Sequence, residues 1–342
     1  MISMKDIARA CGVSVATVSK ALSGQQDISL ETRERIRLKA EEMGYMANAA
    51  ARMLKTNRSY NIGVLFVYKR RSGLAHEYFS AVLDRVRVEA ERRGYDITFI
   101  NRNIGRQEST YLRHCLYRGV DGVVVASVDF YDPLVQELMA SDLPVVTIDH
   151  VFNNRIAVVS DNVMGAEALT RCAIDRGHRR IAFIHGERTA VTQSRITGFC
   201  RACEQAGIPI REEYLRESAY HDTESCYRVT KELLALPQRP TCILFPDDFS
   251  YIGGLNAITE EGLRIPDDIS TLGYDGINLS QVISPRLTTY RQDTVRLGQI
   301  AAARLIEQIE HPTTTIPDKI MVPGELLAGE SVADLRAQLS SS

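Results

Sequence analysis

The stretch MKDIARACGVSVATVSKALSG, residues 4–24, reads as two short helices joined by a tight turn. Ile7, Ala8, Ala10 and Cys11 recur at helical spacing among polar neighbours, and Ser3 stands three residues before Asp6, the spacing of a reciprocal N-terminal cap. Gly12 supplies a permissive turn. Ser14 is placed to cap the next helix, in which Val18 and Leu22 form an apolar stripe while Ala16 and Lys20 lie on another face. A third segment, capped by Ser29 and stopped by Gly44, turns Ile36, Ala40 and Met43 inward. Three such helices can share one small core, and the second has the geometry of a helix that enters the major groove of DNA.

In that pose the residues that meet DNA are Ser14, Val15, Ala16, Thr17, Ser19 and Lys20. Val15 and Ala16 can touch thymine methyl groups, and Lys20 can donate to guanine acceptors. Thr17 or Ser19 can bind phosphate oxygens without reading sequence. Charge agrees: residues 1–60 hold ten Lys or Arg against six Asp or Glu, whereas the other 282 hold 31 against 37. The positive end favours phosphates, and the acidic remainder gives no reason to expect nucleic acid beyond it.

A chain of 342 residues, 44% of them hydrophobic, is long enough for more than one domain with ordinary cores. Lys5, Asp6 and Arg9 interrupt the early apolar residues, so no signal peptide is read, and no apolar run approaches the length that spans a membrane. The expected compartment is the cytoplasm. Seven scattered cysteines do not make a secreted disulfide scaffold.

From Tyr60 onward short apolar runs at 62–68, 95–100, 122–127 and 144–149 predict strands, with helices over 78–94, 109–119 and 133–141 between them. The pattern restarts with helices over 162–177, 193–207 and 251–262 and strands over 180–185, 242–246 and 270–274. Such alternation implies parallel sheets covered by helices, and two α/β lobes with a ligand crevice between them are more plausible than one very wide sheet.

Several motifs in order make the chain resemble the LacI/GalR family of bacterial transcription regulators over nearly its full length. DIARACGVSVATVSKAL at 6–22 resembles the family's DNA-binding signature, ETRERIRLKAEEMGY at 31–45 its third helix, and NAAARMLKT at 48–56 its hinge. GHRRIAFI at 177–184, GYD at 273–275 and LTTYRQD at 287–293 match later landmarks. The resemblance implies a helix-turn-helix domain over 1–46, a hinge helix and linker over 47–60, and a two-lobe domain like periplasmic binding proteins over 61–342. It implies a homodimer on pseudo-palindromic double-stranded operator DNA, no membrane partner, no cofactor, and a small effector, a sugar or sugar phosphate. Asn48 and Ala51 would belong to the DNA-contacting hinge, with Leu54 as a wedge in the minor groove. Without the family, 48–56 is a short Ala-rich helical segment before a polar linker, and a helix this short is marginal alone.

By family position the effector residues are Phe79, Asp149, Asn162, Arg195, Phe249 and Asp275. Aromatic faces suit the apolar faces of a polyol, and Arg, Asn and Asp suit its converging hydroxyls. Each residue taken singly is better explained by solvent exposure or structural capping, and it is their joint placement that points to a cleft. The chain departs from the family pattern at YKRRSGLAHEYF, where Lys69, Arg70 and Arg71 form either a solvated turn or a site favouring an anionic effector, and at FPDDF, where Asp247 and Asp248 replace asparagine-aspartate. The sequence leaves inducer and corepressor equally open. An enzyme is the weaker reading: no nucleotide-binding glycine motif follows the first α/β strand, no G-x-S-x-G elbow is present, and the CRAC pair Cys200 and Cys203 has no second pair to complete a metal site.

Overall fold

The computed structural model describes residues 2–22, 25, 27–45, 58–67 and 73–336. The chain divides into two compact units, Met1–Ser59 and Tyr60–Ser342. In the first, α1 (Met4–Cys11), α2 (Val15–Leu22) and α3 (Leu30–Glu42) surround one small core. Ser3 donates to the Asp6 carboxylate from its backbone N at 2.9 Å and its hydroxyl at 2.6 Å. Gly12 ends α1 in the left-handed conformation, φ 65°, with its N–H turned back to the carbonyls of the last turn. Ile7, Val18 and Ile36 are fully buried, and each such side chain contributes roughly 1.5–3 kcal/mol of transfer free energy. Ala10, expected at the core, is exposed; the three helices meet through Ile7, Ala8, Val18, Ala21, Ile36 and Ala40 instead. Leu22 and Met43 lie at the margin of that cluster.

The second unit contains two six-stranded sheets. Along the chain come β1 (Asn61–Phe66), α4 (Glu77–Arg92), β2 (Asp96–Phe99), a small hairpin of β3 (Asn103–Ile104) and β4 (Gln107–Glu108), α5 (Tyr111–Arg118), β5 (Gly122–Ala126), α6 (Pro133–Ala140), β6 (Val145–Ile148) and β7 (Ile156–Ser160). After α7 (Asn162–Asp175) follow β8 (Ile181–His185), α8 (Ala190–Gln205), β9 (Leu215–Glu217), α9 (Thr223–Leu234), β10 (Cys242–Leu244), α10 (Tyr251–Glu260), β11 (Ser270–Asp275), the short α11 (Leu279–Val282) and β12 (Thr288–Arg291). The chain ends with α12 (Thr294–Glu310), β13 (Lys319–Val322) and β14 (Glu325–Leu327).

The first sheet runs β13-β7-β6-β5-β1-β2, all parallel. The second runs β14-β12-β11-β10-β8-β9, parallel except for β14 against β12. Helices cover both faces, so β5, β7 and β8 are buried at every position and read as continuous apolar runs rather than alternating ones. Consequently the chain crosses between lobes three times: after β7, after β12, and between β13 and β14.

The first two crossings share one device. Asp161 and Asp293 cap α7 and α12 from nearly the same backbone geometry, φ −76° with ψ 76° and φ −81° with ψ 77°. Their carboxylates accept from Met164 N at 3.0 Å and Arg296 N at 2.9 Å. The third crossing is tied to the others, since Asp161 N donates to the Val322 carbonyl at 2.9 Å and Gly324 N donates to the Tyr290 hydroxyl at 2.9 Å. Among the described residues no helix is long and apolar enough to cross a membrane.

Candidate functional site

The helical unit presents its second helix through the cap at Ser14. The Ser14 hydroxyl accepts from Thr17 N at 3.0 Å and pairs with the Thr17 hydroxyl at 2.8 Å, so both polar groups are fixed at the start of α2. Val15, with 41% of its surface accessible, and Ala16 project into solvent beside them. Ser19 is half-buried, and Lys20 is exposed with its ammonium 2.5 Å from Asp27. Hydrogen bonding to Lys20 holds the Asp27 carboxyl below the usual range. Sequence spacing gave no sign of this pair, because Asp27 lies beyond the end of α2. Asn48, Ala51 and Leu54, expected at the hinge, and Lys69, Arg70 and Arg71 lie outside the described residues.

In the second unit a cleft of about 490 Å³ opens where strands of both sheets end. Val67, Ser127 and Asp149 follow or lie just past β1, β5 and β6, while Glu187, Asp247, Asp275 and Gln292 occupy the corresponding places in the other lobe. The carboxyl ends of parallel strands, where the following helices present their N-termini, are the expected ligand side of such sheets. The backbone is strained at these ends: Ser127, Asp149, His221 and Asp275 adopt φ of 52°, 60°, 54° and 101°. Positions of this kind cost about 1–3 kcal/mol each and persist only where surrounding structure enforces them.

Arg195, reaching in from α8, is the centre of the buried polar network. Its Nε donates to Asn162 Oδ1 at 2.8 Å and its Nη1 to the Pro246 carbonyl at 2.8 Å, while Nη2 lies 3.7 Å from Asp275. The guanidinium rests 3.5 Å from the centre of the Tyr274 ring and 5.4 Å from that of Tyr220. Burial alone would lower its pKa, but Tyr220, Tyr274, Asp275 and Asp149 together raise it, so it stays charged. Asp275 is pushed up to about 7 by burial, against the pull of Arg195, with Asp247 and Asp149 adding to the rise. Burial also raises Asp149, whose carboxylate accepts from Ser160 N and from the Tyr78 hydroxyl, each at 3.0 Å. Gln292 donates to Asp275 at 2.7 Å and leaves its own Oε1 without a hydrogen-bond partner, an arrangement rare for a buried polar atom.

Four of the expected effector residues, Phe79, Asp149, Arg195 and Asp275, therefore line one cleft. Asn162 does not line it: its side chain is buried behind Arg195, taking hydrogen bonds from that residue and from the Tyr274 hydroxyl. Phe249 is also absent from the lining; its ring stacks on His221 with centroids 3.9 Å apart, and His221 in turn stacks on His76 at 4.2 Å. Both residues follow strand ends as the sequence indicates, but their side chains turn to support the walls. The two aspartates of FPDDF separate in the same way. Asp247 faces the cleft, accepting from His221 N and from the Ser250 backbone and hydroxyl. Asp248 is buried, accepting from the Thr289 hydroxyl at 2.7 Å and from Ile277 N at 3.0 Å.

The sequence reading misses Tyr78, Phe130, His150, Tyr220 and Gln292 as cleft residues. Their usable signal is position, since each sits within a few residues of a strand's carboxyl end or starts the helix that follows. Cys200 and Cys203 carry free thiols in α8, with Cys203 buried and pushed up to about 11 by that burial. Among the described residues no group of three or more His, Cys, Asp or Glu is arranged to hold a metal ion.

Residues 3–48 match bacterial regulatory proteins of the lacI family, and residues 170–332 match a periplasmic binding protein-like domain. The chain is 31% identical to the HTH-type transcriptional repressor PurR of Mannheimia succiniciproducens, over 97% of this chain and 99% of that protein. It is also 31% identical to the probable HTH-type transcriptional repressor ExuR of Bacillus subtilis, over 98% and 99%. Among solved structures, the lac repressor dimer bound to operator and the anti-inducer ONPF has the same fold, with a TM-score of 0.78 at 24% identity over 97% of this chain and 99% of that one. A LacI family regulator from Enterococcus faecium with bound ribose gives 0.69 at 25% identity over 81% and 100%.

Proposed function

We propose that this chain, which belongs to the LacI/GalR family of transcriptional regulators, represses carbohydrate-utilisation genes as a cytoplasmic homodimer whose operator affinity is set by a small sugar in the cleft. That it is a DNA-binding regulator and not an enzyme follows from the family itself. The finer reading rests on the Arg195 network: a charged guanidinium, buried carboxylates and aromatic rings converge at the carboxyl ends of both sheets. Such a lining offers directional partners to hydroxyls and flat faces to the apolar side of a pyranose. Five acids, Asp129, Asp149, Glu187, Asp247 and Asp275, line the cleft against the guanidiniums of Arg188 and Arg195, and even with Asp149 and Asp275 neutralised by burial the other three outnumber the two guanidiniums. That balance favours an uncharged sugar over a sugar phosphate. The ribose in the Enterococcus faecium protein supports the same class.

On DNA, α2 would lie in the major groove of each half of a pseudo-palindromic site, with Val15, Ala16 and Lys20 toward the bases and Ser14, Thr17 and Ser19 toward phosphates. Asn48, Ala51 and Leu54 would complete the contact from the hinge. An effector shifts operator affinity when its own affinity differs between DNA-competent and incompetent arrangements of the lobes, and the sign of that difference decides inducer or corepressor. The test is selection of duplexes from a random library, followed by fluorescence anisotropy on the recovered operator with mono- and disaccharides and sugar phosphates. An uncharged sugar should move the operator Kd at least several-fold and remain chemically unchanged. Response to phosphorylated sugars alone, or to no sugar, would overturn the effector assignment.

A further inference from the structure

The cleft is chemically divided along its length. Its inner part is polar, built around the buried Arg195 and Asp247 and the largely enclosed Asp149 and Asp275. Its outer part is aromatic on one side: Phe130 and His150 stack with centroids 4.2 Å apart and planes within 9°, and Tyr131 meets His150 edge-on at 6.3 Å with 82% of its own surface accessible. Phe152 backs the pair, 4.9 Å from His150 and 5.8 Å from Phe130. Burial lowers the His150 pKa, which keeps the imidazole neutral and suited to stacking at neutral pH. Across the cleft from these first-lobe rings stand Arg188 and Thr189 of the second lobe, at the start of α8.

A single hydrogen-bonded ring held by the inner network would leave the cleft-facing side of Phe130, Tyr131 and His150 without a ligand contact. Phe130 and His150 are half-buried and Tyr131 is exposed, and ring faces lining a cleft continuous with a polar pocket are the arrangement expected where a second ring of the same ligand packs. The volume of about 490 Å³, reaching from the buried acids to the exposed Tyr131, admits a ligand extended in that direction. In the inner part Arg195 is matched by Asp149, Asp247 and Asp275, and in the outer part Arg188 is matched by Asp129 and Glu187, so the cleft offers a phosphate no net positive field. Resting on the sugar-effector reading above, we propose that Phe130, Tyr131 and His150 form an outer subsite, and that the effector is an uncharged two-ring glycoside, a disaccharide, with one ring on Arg195 and the other against Phe130 and His150.

Isothermal titration calorimetry of the full chain tests this, with cellobiose, maltose, lactose and xylobiose compared with glucose, galactose and xylose. One disaccharide should bind at least roughly tenfold more tightly than either of its component monosaccharides, the gain expected from one well-placed ring contact. Phe130→Ala should cut that ratio roughly tenfold by removing the contact. Tyr131→Ala, at an exposed position that folding does not depend on, should cut the ratio in the same direction. Arg195→Ala should abolish heat of binding for every sugar. If monosaccharides bind as tightly as disaccharides, or if Phe130→Ala and Tyr131→Ala both leave the ratio intact while Arg195→Ala abolishes binding, the outer subsite is wrong and the sugar reading survives. If no saccharide in the set binds the unmodified chain, the sugar reading and the subsite fall together.

Discussion

Replacing Asp275 by asparagine should flatten part of the pH dependence of stability, and the direction follows from the proton balance. Burial lifts the folded carboxyl from an ordinary 3.8 to about 7. A raised carboxyl contributes stability that is fully present below the unfolded pKa and is lost as pH rises through the folded one. Between those values the folded chain holds one more proton than the unfolded chain, so this group removes about 1.4 kcal/mol of stability per pH unit. From pH 5 to pH 8 the loss amounts to about 2–3 kcal/mol, the curve levelling above pH 7 as the folded carboxyl ionises. Asparagine matches the neutral acid in shape and can still accept from Gln292, as Asp275 does at 2.7 Å, but it has no proton to lose. Asp149 and Asp248 are raised by burial as well, so the unmodified chain has a steeper total slope; the difference between the two proteins isolates Asp275. Urea unfolding followed by far-ultraviolet circular dichroism at pH 5, 6, 7 and 8 supplies the comparison, since the chain has no tryptophan to report by fluorescence. Asp275→Asn should gain about 2–3 kcal/mol on the unmodified chain between pH 5 and pH 8. A difference that stays constant across that range refutes the argument.

Two further perturbations probe other parts of the chain. A Cβ added at Gly198 would sit 2.1 Å from the Val163 carbonyl oxygen and 2.9 Å from Glu167 N, where the backbone of α7 has no room to yield; Gly198→Ala should cost roughly 1–3 kcal/mol or more by overpacking, and an unchanged urea midpoint would contradict this close approach. Asp27→Asn should release Lys20 from its ion pair and tighten binding to the recovered operator; an operator Kd unchanged from that of the unmodified chain in anisotropy titrations would mean that Lys20 does not reach DNA.

The sequence showed the helical unit and the repeated α/β pattern most clearly, because caps at Ser14 and Ser29, the turn at Gly12 and apolar runs such as GVVVA are local signals read within a few residues. Pairings between distant segments have no such signature. Lys319–Val322 carries only one fully buried residue and joins the first sheet as an edge strand beside β7, and Glu325–Leu327 closes the other sheet, so neither declares itself by an apolar run. The cleft follows the same division. Strand ends locate it, but which side chain faces inward depends on the left-handed turns at Asp149 and Asp275 and on the stacking of Phe249 against His221, none of which spacing encodes. The residues that sequence and structure assign differently are informative for this reason. Asn162 opens α7 directly after the first crossing and accepts from Arg195; Gln292 lies in the second crossing, directly before the capping Asp293, and donates to Asp275. A ligand that competes for Arg195 or for the Asp275 carboxylate therefore acts within one hydrogen bond of two of the segments joining the lobes. Those segments are themselves tied to the third crossing through Asp161 and Tyr290. Occupancy of the cleft and the angle between lobes are consequently parts of one hydrogen-bonded system, which is the physical requirement for a bound effector to bias one arrangement of the lobes over another.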